Sequence, residues 1–217
     1  MNEALYKDHD LNWLMASEVA QIEDEDISKF VKETLNFVQP YHRLAPASST
    51  GKYHPQYANG IGGLIRHVKV TVMNMQTIIR STPALEREKD TLIAAAILHD
   101  FFKYPKGEES EYTAFDHPKL MGDYCTEHGF PEIGRLIAAH QGIWTRNDRQ
   151  MPGFENEQPR KFDEWCLHYS DLFASRTYLQ VEFDEVGEII IDPKSEKRAE
   201  AVQEKKDAVK AKRRIAE

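Results

Sequence analysis

Cysteine is nearly absent. Two residues in 217, Cys125 and Cys166, cannot build a disulfide framework, and their spacing rules out a CxxC metal or redox motif. Long apolar runs are missing as well. The longest, Leu92 to Phe102, covers eleven positions and is broken by His99 and Asp100, well short of the ~20 residues that a membrane-spanning helix needs. The opening MNEALYKDHDLNW is acidic and polar and does not read as a signal peptide. Positive charge is in deficit, with 28 Lys and Arg against 36 Asp and Glu, a net charge of -8 and a pI near 5.6. Such a balance does not draw phosphate backbones over distance, which argues against a general nucleic-acid binder. The expectation is a reduced, cytoplasmic protein without a membrane segment, acting on a small substrate rather than a polymer.

What the chain does contain is helical patterning. Asp24 to Val38 places Ile27, Phe30, Val31, Leu35 and Val38 at the i, i+3, i+4 spacing of an amphipathic helix, and Pro40 ends it. Residues 41–60 carry Pro46, Gly51, Pro55 and Gly60 among Ser, Thr and His and read as a loop. Further helices are expected over 63–80, from Pro83 to the HDFFK segment, and over roughly 115–128, 131–142 and 160–180. The stretch 181–191 has the β-branched content of a small hairpin. Beyond Pro193, nine Lys and Arg face five Asp and Glu with almost no core-forming residues. That tail is expected to be a solvated charged helix or a helix that supports oligomerisation. The fold class expected is all-α: residues 1–50 as a helical extension packed on a core domain at 51–180, then 181–217 as hairpin and charged helix.

Ionisable residues in the apolar helices carry the chemistry. His99 and Asp100 sit side by side inside TLIAAAILHDFFK, where an imidazole and a carboxylate are costly unless paired or bound. His67 in GGLIRHVKVTV, His117 in FDHPKLMG, His140 in GRLIAAHQGIW and Asp171 in LHYSDLFASR have similar surroundings. One divalent centre explains all six together. Imidazole and carboxylate are ligands of Mn, Fe, Co, Ni and Zn, whereas Mg prefers nearly all-oxygen surroundings. An Asp next to a His can also reach two ions through its two oxygens.

The order His67, His99–Asp100, Asp171 resembles the H…HD…D signature of the HD-domain metal-dependent phosphohydrolases. His117 and His140 match the extra ligands of members that hold two metals, and the likeness runs over about residues 54–176. The YHP…GGLIRH opening is similar to the HD domains of OB-fold 3′–5′ exoribonucleases and of relaxase-like conjugation proteins. The resemblance implies a helical bundle around one or two divalent ions. His67, His99, Asp100 and Asp171 would bind the first, and His117 and His140 the second, with Asp100 bridging. It also implies hydrolysis of a nucleotide-type phosphate ester by a metal-activated water. Two departures stand out: Phe101–Phe102 replace the small residue that commonly follows HD, and Gln141 follows His140 where many relatives repeat His. The two rings are expected to shape the pocket.

Residues around this set are assigned as expectations. Lys103, one turn from Asp100, is either a catalytic phosphate contact or a surface lysine offsetting the helix dipole. His54, Arg66, Trp144, Arg146, His168 and Arg176 are the substrate-side candidates. His9, His42 and His128 read as surface residues. Rival readings are a single-strand-specific 3′–5′ nuclease and a non-catalytic HD module that senses a nucleotide or assembles with a partner.

Overall fold

Asp24 begins the first long helix by accepting a hydrogen bond from the Ile27 amide (3.0 Å), so one otherwise unpaired N–H is satisfied. We obtained a computed structural model, which describes residues 3–52, 54–110, 112–142 and 159–191. Trp144, Arg146 and the charged C-terminal tail lie outside the described residues. Three short helices come first: α1 (Glu3–Asp8), α2 (Leu11–Leu14) and α3 (Ala16–Val19). Helix α4 (Glu25–Phe37) buries Phe30, Val31 and Leu35, as its periodicity predicts. Its path ends at an extended Val38, two residues before Pro40.

The expected loop at 41–60 is present, with tight 3-10 turns at Pro40–Arg43 and Gln56–Ala58. It delivers the chain to α5 (Gly63–Ser81), whose entry requires glycine. Gly62 has φ +73°, and a Cβ there would lie 2.5 Å from the Tyr6 ring. A methyl at Gly63 would meet the Ala58 carbonyl at 2.2 Å. The backbone therefore passes where no side chain fits.

Helix α6 (Lys89–Leu98) follows a 3-10 turn over Pro83–Glu88. Every residue from Leu92 to Leu98 is buried, so this helix is apolar on all sides and forms the central rod of the bundle. Helices α4, α5 and α8 (Pro131–Ala138) pack around it, and α9 (Phe162–Ala174) lies against α5. Truncating a fully buried residue such as Ile97 to Ala there costs about 2–5 kcal/mol. Helix α7 (His117–Glu127) crosses α8 closely, since a Cβ on Gly134 would come 2.4 Å from the Gly122 carbonyl. One hydrophobic cluster joins Leu5, Leu14 and Val31 to Val68, Ile97, Ile137 and Leu167, so the N-terminal helices share the core of α5–α9.

The expected hairpin exists in minimal form. Phe183 and Ile189 make one antiparallel bridge, and Asp184 Oδ1 accepts from the Val186 and Glu188 amides to shape the turn. This turn is tied to the bundle by Lys69, which is buried between Glu18 (2.8 Å) and Glu188 (2.9 Å). Among the described residues no helix is long and apolar enough to cross a membrane.

Two expectations need correction here. His42 is buried: its Nδ1 pairs with the Gln39 carbonyl (2.9 Å) and its Nε2 accepts from the Tyr104 amide (3.3 Å). Phe101 and Phe102 have packing partners away from the six ionisable residues. Phe101 is fully buried in the core beside His42, and Phe102 packs edge-on against Tyr124.

Candidate metal centre

Helix α6 stops at Leu98, so His99 is its C-cap and Asp100 starts the following turn. The pair lies at the end of the apolar rod rather than within it. This end carries the partial negative charge of the last carbonyls, which favours a cation. His140 occupies a similar place, two residues past α8. His67 comes from the second turn of α5, His117 is the first residue of α7, and Asp171 lies in α9. Four histidines and two aspartates from five parts of the chain thereby meet in one place.

Asp100 stands at the middle. Its Oδ2 faces His67 Nε2 and His99 Nε2, both at 3.4 Å, and its Oδ1 faces His117 Nε2 at 3.1 Å and His140 Nε2 at 3.7 Å. Asp171 Oδ1 lies 3.0 Å from His67 Nε2 and 3.8 Å from His99 Nε2. His67 and His99 bring their Nε2 atoms within 3.4 Å of each other.

The proton inventory shows what this arrangement asks for. His99, His117 and His140 each set Nδ1 against the carbonyl three residues earlier: Ala96 (2.8 Å), Ala114 (2.6 Å) and Ile137 (2.7 Å). A carbonyl only accepts, so Nδ1 carries the hydrogen, and in the neutral ring Nε2 is a bare lone pair. Three lone pairs thus point at a carboxylate that also only accepts. Asp100 Oδ1 and His117 Nε2 are buried with no hydrogen-bond partner among the described residues. A shared cation satisfies these groups, and the donors fit one. The ligand atoms of His67, His99 and Asp171 lie within 4.8 Å of one another, as do those of His99, Asp100 and His140. These clusters could hold divalent metal, with the second ring nitrogen of three histidines already oriented by the backbone.

Electrostatics agree with that role. Burial acts to raise the Asp100 carboxyl, but His99, Lys103, His117 and His140 together hold it well below its usual range. Burial likewise opposes ionisation of Asp171, and His67 overcomes it. His67 is pulled down by burial and raised further by the two carboxylates, for a net increase. Burial brings His117 down to about 4, so this ring is neutral at ordinary pH, the form in which an imidazole can bind a metal.

The outer candidates divide. Lys103 sits beside the centre, its Nζ 2.5 Å from Asp100 Oδ2 and 3.1 Å from the Ala47 carbonyl. His54 is next to His67, with ring centroids 5.3 Å apart. His168 does not reach the cluster. Its Nδ1 pairs with the His140 carbonyl (2.8 Å) and its ring fills the space above Gly142, buttressing the turn that carries His140. Arg66 is a correction: it is 1% exposed, gives hydrogen bonds to the carbonyls of Tyr57 (2.5 Å), Asn59 and Ile61 (both 3.0 Å), and lies over the Tyr6 ring. One residue from His67, it points about 100° away around the helix and clamps the 57–61 turn. Arg176 is exposed beyond α9 and does not contact the cluster. Ser175 was not anticipated. It lies between His54 Nε2 (3.2 Å) and Asp171 Oδ1 (3.5 Å), and its spacing of four from Asp171 was the available signal.

The HD domain family matches residues 64–176, just over half of the chain. With all six motif residues gathered at one centre, the chain belongs to this family, the HD-domain phosphohydrolase superfamily. It is similar to the dihydroneopterin 2′,3′-cyclic phosphate phosphodiesterase of Methanocaldococcus jannaschii, at 28% identity over 178 residues, which is 72% of this chain. The chain spans 66% of that relative's length, slightly under two thirds. No solved structure matches the chain.

Proposed function

We propose that this protein is a metal-dependent phosphodiesterase that opens or cleaves a phosphate ester of a small, heterocycle-bearing molecule, a cyclic phosphate diester being the first candidate. The observation that carries the reading is the buried ring of lone pairs around Asp100. A bound divalent ion would supply a water of lowered pKa and would neutralise charge on the phosphoryl oxygens. In this reading His67, His99, Asp100 and Asp171 would hold one ion, and His117 and His140 would hold a second beside Asp100. Lys103 keeps Asp100 ionised and presents a cation at the edge where a phosphoryl group arrives. His168 fixes the backbone of His140. The metal-binding unit is 51–180, with residues 1–50 packed on it and 181–217 appended. A cytoplasmic setting fits the two free, buried cysteines.

A cyclic diester is favoured over a nucleic-acid end by the named activity of the similar archaeal protein and by the net charge of -8. A nucleotide and a pteridine both carry a heterocycle on a hydroxylated chain, and both belong in the test. The experiment is a panel of 2′,3′-cyclic nucleotides, 3′,5′-cyclic nucleotides, dihydroneopterin cyclic phosphate and short oligonucleotides, with Mn, Fe, Co, Ni or Zn added in turn. Metal content is measured on the same sample. Turnover of a cyclic diester that depends on metal supports the reading. Faster turnover of oligonucleotides, with strong salt dependence, replaces it with the nuclease. Metal binding without hydrolysis of any ester replaces it with a sensor.

A further inference from the structure

The loop before α5 touches the centre at two points. Near its start the Ala47 carbonyl accepts a hydrogen bond from Lys103, and near its end His54 packs against His67. His54 Nε2 lies 3.2 Å from Ser175 Oγ, which lies 3.5 Å from Asp171 Oδ1. One order of protons satisfies both contacts. The carboxylate only accepts, so Ser175 donates to it, and the serine oxygen then accepts from His54 Nε2–H. This fixes the tautomer and leaves a lone pair on His54 Nδ1, an atom that is buried and has no partner among the described residues.

Phosphoryl oxygens also only accept, so they are poor partners for that nitrogen. A hydroxyl is a good one. We propose that His54 Nδ1 accepts a hydrogen bond from a substrate hydroxyl carried beside the reacting phosphate, which makes His54 a specificity-determining residue for phosphate esters of polyols, with Ser175 as its positioning residue. This rests on the phosphohydrolase reading of the same centre, and it adds what that reading lacks, a group that selects the alcohol part of the ester.

The test uses the full-length, metal-loaded protein and two ligands that differ by one hydroxyl, adenosine 3′-monophosphate and 2′-deoxyadenosine 3′-monophosphate, with dissociation constants measured by calorimetry. Wild type is expected to bind the hydroxylated ligand about tenfold more tightly, the effect of one well-made hydrogen bond. His54→Ala should bring the ratio to about one with metal content unchanged. His54→Asn, which keeps an acceptor near the Nδ1 position, should restore part of it, and Ser175→Ala should give an intermediate ratio. Equal affinities in wild type, failure of both ligands to bind, or a ratio that survives His54→Ala overturns the proposal. So does loss of metal from His54→Ala with both ligands weakened alike, which makes His54 a support of the cluster. Turnover of cyclic diesters is followed separately. Its absence beside an intact binding ratio sinks the catalytic reading and leaves His54 standing.

Discussion

Two buried polar clusters in this protein look alike by composition and differ in their protons. Around Lys69, an ammonium lies between Glu18 and Glu188 with Ser17 close by, so a donor faces acceptors. Around Asp100, imidazole lone pairs face a carboxylate, and acceptors face acceptors. The first cluster is complete within the chain and joins α3, α5 and the 183–189 turn. The second is incomplete without a cation. Burial of ionisable groups therefore does not by itself mark a functional site; the mismatch of donors and acceptors does.

The comparison can be broken from either side. The largest effect is expected at Asp100: Asp100→Ala should lower turnover of any ester the wild type hydrolyses by on the order of a thousandfold. It should also strip bound metal, while circular dichroism remains that of a helical protein. Retained metal and hydrolysis would refute Asp100 as the centre of the site. At the other cluster, Lys69→Met should cost roughly 3–5 kcal/mol in urea unfolding, because the buried Glu18 carboxylate loses its partner, whereas Glu188 is half-exposed and can turn to water. The metal content of the folded fraction should stay unchanged.

Withdrawal of metal is the third test. A chelator should lower the stability of wild type by about 3–4 kcal/mol if free metal had stood at a few hundred to a thousand times its dissociation constant. Asp100→Ala should show almost none of this sensitivity, whereas Lys69→Met should keep it. Equal chelator sensitivity of wild type and Asp100→Ala would put the ion elsewhere.

The smallest effect concerns pH. Burial brings His42 down to about 4, below its ordinary value of 6.5. Between those values the unfolded chain binds the proton and the folded chain does not, so folding stability rises with pH and is lost as pH falls from about 6.5 towards 4. His117 and His54 act in the same direction, and His67, with its raised value, acts against them. His42→Gln should flatten the dependence of the urea midpoint on pH between 6.5 and 4 by a modest amount. A steeper dependence in that variant would contradict the buried, neutral His42.

Much of this is legible in the sequence. The helices at 25–37 and 63–81 follow their apolar spacing, and Pro and Gly mark where the chain turns. The six residues of the centre stand out because each is an ionisable group in apolar helical sequence. Side-chain direction was harder to read. In α6 every face is buried, so periodicity could not tell which way His99 or Phe101 points, and it did not reveal that the helix stops at Leu98. Arg66 was misread because its neighbour His67 faces the centre, although adjacent helical residues diverge. His42 was misread because a polar residue in a Pro-rich loop resembles a solvated one until its two backbone partners are seen.

The sequence by itself determined the class of the protein and the order of its six candidate ligands, because those depend on residue chemistry and on helical spacing over a few turns. Only the tertiary structure decided which nitrogen of His99, His117 and His140 is free, that Asp100 turns its two oxygens to two sides, and that Ser175 and His54 join the centre. Those facts depend on backbone carbonyls and distant segments meeting in space, and no local pattern along the chain records where they meet.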